Sequence, residues 1–153
     1  MTKPIDRIAF EFWCGIGSVS DFELWVESEL RKDEPYPDAY DLFGLDRYQI
    51  GKESLKIAGK ITGFNPLSVD NKKWVTELVI EKCILLTKEK ITPKEFCDLV
   101  QTLDSQLLDT TVGIYPDWLS ELWNHCDWCD ETWTHSNSPH LLEKAKKLIN
   151  EKI

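Results

Sequence analysis

The residues best suited to chemistry fall in one stretch, His125-Cys126-Asp127-Trp128-Cys129-Asp130-Glu131-Thr132-Trp133-Thr134-His135, with His140 beyond it. Taken as ligands, Cys126, Cys129, His135 and His140 make a C-x2-C-x5-H-x4-H pattern. Two thiolates and two imidazoles suit tetrahedral zinc, so a small zinc-binding module is one expectation. The neighbours oppose it: Asp127, Asp130 and Glu131 raise the thiol pKa, whereas a metal requires the thiolate. A redox role for the C-x-x-C pair meets the same objection, and no strand precedes it as a thioredoxin-like motif demands. The favoured expectation is therefore no cofactor. No Gly-x-Ser-x-Gly elbow and no glycine-rich phosphate loop occurs, and Gly15-Ile16-Gly17-Ser18 reads as a loop and helix start. No catalytic residue is nominated. A small enzyme of unknown reaction stays as an alternative, and it predicts a deep pocket lined by carboxylates with raised pKa.

Charge and indole rings concentrate in the same region. Between Lys94 and Lys144 there is no lysine or arginine, but there are Glu95, Asp98, Asp104, Asp109, Asp117, Glu121, Asp127, Asp130, Glu131 and Glu143. Trp118, Trp123, Trp128 and Trp133 recur every five residues. Successive members on a helix would differ by about 140°, so they cannot form one buried stripe, and some must face solvent or lie in a loop. An acidic surface with aromatic anchors complements a basic protein: opposite potentials speed encounter, and tryptophan supplies desolvated area. The expected contact residues are Asp117, Glu121, Trp123, Asp127, Trp128, Asp130, Glu131 and Trp133, with Glu23, Glu27 and Glu29 as a second choice. The chain as a whole carries a net charge of −9, which disfavours nucleic acid and anionic membrane as partners.

Helices must position these groups. Ser20 and Glu23 have capping-box spacing ahead of Phe22, Trp25, Val26 and Leu30, which predicts a helix over 20–32 that ends before Pro35 and Pro37. Residues 38–44 predict a short helical turn stopped at Gly44. Asp46 caps a helix to about residue 62, and Gly63-Phe64-Asn65-Pro66 is a break. Trp74, Val75, Leu78, Val79, Leu85 and Leu86 keep the 3.6 period of a long helix over 70–90. Thr92, Pro93 and Glu95 supply an N-cap, a proline at the first position and an acid at the third. Gly113 and Pro116 bound the next element, which reads as helix from Asp117 to about residue 127. Ser138-Pro139 opens a last helix whose basic end suits the negative pole of the helix dipole. Arg7 to Cys14 fits a strand or a helix, and helix is preferred because no partner strand appears. The expected fold is mainly α, an irregular single-domain bundle of six or seven helices over 1–153.

Residues 17–30, Gly-Ser-Val-Ser-Asp-Phe-Glu-Leu-Trp-Val-Glu-Ser-Glu-Leu, followed by Glu34-Pro35-Tyr36-Pro37-Asp38-Ala39-Tyr40-Asp41-Leu42, resemble the opening of small acidic helical immunity-type proteins of bacterial polymorphic toxin systems. Their pattern is an acidic helix with a tryptophan, a proline-containing turn and a short helical segment. The resemblance implies neutralisation of a toxin by direct binding, without catalysis. It covers only these residues and does not include the Cys126–Cys129 region.

The 153 residues are 42% apolar and 29% charged, a globular balance with enough chain to bury a core. No run approaches the roughly 20 apolar residues of a membrane helix. The N-terminus lacks a signal-peptide core, and five cysteines, an odd number, read as reduced thiols. A cytoplasmic location is expected.

Overall fold

A computed structural model describes residues 2–108 and 114–152, so Asp109 and Gly113 lie outside the described residues. The fold is mainly α, with seven α-helices, two 3-10 turns and no strand among the described residues. The ambiguous N-terminal segment is helix. No helix among the described residues is long and apolar enough to cross a membrane. Two compact units divide the chain, Met1–Pro66 and Leu67–Ile153, at the break read from the sequence.

The first unit holds α1 (Ile5–Trp13), α2 (Val19–Leu30), a 3-10 turn (Ala39–Leu42) and α3 (Arg47–Thr62). Its core is built from Ile8, Ala9 and Phe12 of α1, Phe22, Trp25 and Val26 of α2, and Ile50, Ile57 and Ala58 of α3. Full burial of such a large apolar side chain is worth about 1.5–3 kcal/mol. Asp46 closes a capping box at the start of α3: its Oδ1 accepts from Gln49 N at 2.8 Å, and Gln49 Oε1 accepts from Asp46 N at 3.0 Å. The capping box expected at Ser20 does not form. The N-cap of α2 is Ser18, so Ser20 lies inside the first turn, with its hydroxyl 2.9 Å from that of Ser18. Glu23 instead accepts from Gly44 N at 3.5 Å. The entry to α2 is fixed by packing: a Cβ added at Gly17 would sit 2.4 Å from Phe12 Cδ2, so only glycine lets the backbone lie on that ring.

The second unit holds a 3-10 turn (Val69–Asn71), α4 (Lys72–Thr87), α5 (Pro93–Leu107), α6 (Asp117–Asn124) and α7 (Pro139–Lys152). Helix α4 packs on α5 and α7, and α5 packs on α6. Helix α4 stops short of residue 90 because Glu89 adopts a left-handed conformation, φ 57°. Glu89 N then donates to Leu86 O at 3.1 Å and Lys90 N to Leu85 O at 2.8 Å, the paired bonds of a Schellman ending. Thr92 caps α5 as its sequence predicts, accepting from Glu95 N at 3.1 Å.

Candidate functional site

Helix α6 ends at Asn124, three residues earlier than its apolar pattern suggests, and the loop over 125–138 begins there. Successive turn bonds carry the chain out of the helix, with Cys126 N donating to Trp123 O at 2.9 Å and Cys129 N to Cys126 O at 3.0 Å. Between these cysteines Trp128 takes a left-handed conformation, φ 67°, that a bulky side chain rarely adopts. The side chain leaves the body of the unit and is 87% exposed. Asp127, Asp130 and Glu131, its neighbours in the chain, are exposed as well.

The rest of the loop is tightly tied. Asp130 Oδ1 accepts from Thr132 N at 2.8 Å and from Thr132 Oγ1 at 2.5 Å, and these bonds hold its carboxyl below the usual aspartate value. Asn137 reaches back across the turn: its Nδ2 donates to Thr132 O at 2.9 Å, and its Oδ1 accepts from Thr134 N at 2.6 Å and from Ser138 Oγ at 3.0 Å. His135 Nε2 donates to Ile91 O at 3.0 Å, which anchors the loop to the connection between α4 and α5. Hydrogen bonds therefore fix the backbone of the loop that carries Trp128.

The nominated contact residues fall on two successive elements. Asp127, Trp128, Asp130 and Glu131 belong together on the loop. Asp117 and Glu121 lie on α6 instead, in a cleft of about 540 Å³ whose other lining residues include Lys72, Trp118 and Lys152. Glu121 is paired with Lys144 at 3.1 Å, and that ammonium lowers the pKa of the carboxyl. Trp123 is half-buried; Trp133 is too, with its ring edge-on to His140 at 5.1 Å. Of the second-choice acids, Glu29 is buried, accepts from Tyr36 N at 3.3 Å and pairs with Lys32. Glu23 is half-buried, and only Glu27 is exposed.

The region without lysine in sequence acquires lysines in space. Lys94, one turn before Cys97 on α5, pairs with Asp98; that carboxylate and Glu131 raise the lysine's pKa, and the lysine in turn helps to lower that of Asp130. Asp104 accepts the Tyr115 hydroxyl; burial and that bond push the phenol up to about 12.

The four residues of the metal pattern are not gathered. His135 is engaged with Ile91, whereas His140 stacks on His125 with ring centroids 6.2 Å apart. Among the described residues no group of three or more histidines, cysteines or acids is placed to hold a metal ion. The third group near the C-x-x-C pair is another cysteine, which the sequence reading did not single out. Interaction with the Cys126 thiol, followed by burial, pushes the Cys97 thiol of α5 up. Cys97 and Cys126 are buried, and Cys129 is partly exposed. Burial and the Cys97 thiol push Cys129 up to about 12.

A groove of about 800 Å³ in the first unit, walled by Tyr48, Lys52 and Lys56 and by Asp38 and Asp41, contains none of the residues nominated from sequence. The carboxylates with displaced pKa values, Glu121 and Asp130, both move down, opposite to the direction an acidic catalytic pocket calls for.

Comparison with protein-family models, with curated proteins and with solved structures finds no match to this chain.

Proposed function

We propose that this chain is a protein-binding module that docks a basic protein partner through the loop carrying Asp127, Trp128, Asp130 and Glu131. The observation that carries this reading is Trp128. A large indole held in water on left-handed backbone costs stability twice over, through exposed apolar area and through local strain. Such a cost is recovered when the ring enters a pocket on another protein. The loop's internal hydrogen bonds reduce the ordering cost of docking, and the three carboxylates supply steering toward lysine or arginine. Taken with the N-terminal resemblance, the finer reading is an immunity-type inhibitor that acts in the cytoplasm and masks a basic toxin.

Co-purification tests it. Tagged wild-type chain and its Trp128→Ala variant are used as bait in cells that also express a panel of basic toxin domains. The expected result is a complex with the wild type that weakens about 30-fold with Trp128→Ala, equivalent to about 2 kcal/mol, and that weakens further as salt rises. Equal binding by the two baits overturns the assignment of the loop.

A further inference from the structure

The groove of about 800 Å³ in the first unit has two walls of different character. One is α3, from which Tyr48, Lys52, Lys56 and Lys60 line the opening. The other is the segment over 36–42, which contributes Asp38 and Asp41. That segment is held by its own bonds: Ala39 N donates to Tyr36 O at 3.2 Å and Asp41 N to Asp38 O at 3.0 Å, with Asp38 in a left-handed conformation, φ 59°. On α3 the four side chains stand four residues apart and form one row, each step rising about 6 Å. In a chain of net charge −9 this row is cationic and uncompensated. All three lysines are exposed, and none forms an ion pair among the described residues. Like charges four apart on a helix repel. The negative end of the helix dipole relieves Lys60, but Lys52 and Lys56 lie in mid-helix without that relief. Tyr48 is 74% exposed, with the Lys52 ammonium 5.3 Å from its ring centroid. The groove's other acids are Asp46, engaged in the cap of α3, and Glu53, half-buried beside the row.

We propose that this groove docks an extended segment of a partner protein in which acidic residues alternate with basic ones. A strand sends successive side chains to opposite sides and repeats on each side about every 6.8 Å. Acids at every second position meet Lys52, Lys56 and Lys60 in turn, and the lysines or arginines between them face Asp38 and Asp41. Length argues against a small ligand: the row from Tyr48 to Lys60 rises about 18 Å, the reach of about five or six extended residues. Charge argues against a nucleic-acid strand. Its charge has one sign, and both the carboxylates of the other wall and the net charge of the chain repel it. A segment with two-sided charge suits both walls, and the hydrogen-bonded turn that forms one of them lowers the ordering cost of docking. This site is independent of the Trp128 loop: it lies in the other unit and its helical wall carries the opposite charge.

The full-length protein is titrated against a fluorescein-labelled nine-residue peptide of alternating glutamate and lysine, with fluorescence anisotropy as the readout. A peptide of the same composition with its glutamates and lysines in two blocks, and a nine-nucleotide oligo(dT), are titrated beside it. The expected result is saturable binding of the alternating peptide that weakens as salt rises and is tighter than binding of the block peptide or the oligonucleotide. The double variant Lys52→Gln, Lys56→Gln, altered only at exposed positions, is expected to weaken it about fivefold. The double variant Asp38→Asn, Asp41→Asn is expected to weaken it as well, which a purely basic patch would not show. Trp128→Ala is expected to bind the peptide as the wild type does, so failure here and failure of the loop assignment are read separately. No saturable binding of the alternating peptide, equal affinity for the block peptide, tighter binding of the oligonucleotide, or undiminished binding by either double variant overturns the proposal.

Discussion

At the scale of single residues, His125 shows how a small displacement becomes a pH dependence. Burial, then the positive charge of Lys144, then His140 hold its imidazole below the ordinary histidine value, with Glu121 working in the opposite direction. Because the native group binds its proton less readily than the unfolded one, the unfolded chain gains protons first as pH falls. The stability this group contributes is complete above about pH 6.5 and is lost as pH drops from there through the lower native pKa. Urea midpoints are therefore expected to decrease from pH 7.5 to 5.5, and His125→Phe is expected to flatten that dependence. A slope that is the same in wild type and variant removes His125 as its source. The residue scale is also where reading from sequence fails most. That some of the four indoles must face solvent or lie in a loop was legible, since indoles five apart cannot share one buried face; that Trp128 is the exposed one was not. The burial of Glu29 was not, because its partners are Lys32 and a backbone amide beyond the proline turn, and neither leaves a periodic trace. Cys97 was missed for a similar reason: its interaction with the Cys126 thiol depends on the packing of α5 on α6, which leaves no periodic trace.

At the scale of elements, helix starts were read better than helix ends. Asp46 and Thr92 cap as their side chains dictate, because a cap is a bond between residues three apart. The end of α4 was read three residues late because apolar period says nothing about where the backbone turns left-handed. Glu89 makes that turn without being glycine, at a cost of about 1 kcal/mol. Glu89→Gly is expected to raise unfolding stability by about that amount, measured as a shift of the denaturant midpoint at unchanged slope. The same substitution in a chain whose α4 ended otherwise would be neutral or destabilising. The early end of α6 has the larger functional consequence, since four more helical residues would have placed Trp128 on a helix face.

At the scale of the molecule, the helical class followed from the sequence because its periods are long and its breaks are marked by glycine and proline. The distribution of charge did not. A span with no cation in sequence takes Lys94 from α5 and Lys144 from α7, both just outside its ends, and keeps only part of its negative face. The break at Gly63-Phe64-Asn65-Pro66 was legible, and it coincides with the boundary between compact units. Brief proteolysis of the native protein is expected to cut first between Gly63 and Val69, where several residues are exposed and no α-helix runs. First cleavage inside α3 or α4 would contradict that. One property of the whole follows from a single ring. Of seven tryptophans only Trp128 is classed as exposed; the other six are buried or half-buried. An aqueous collisional quencher such as iodide therefore reads chiefly one fluorophore, and a partner that shelters it would shift the emission of that fluorophore toward the blue, so the chain carries its own optical reporter of docking without a label.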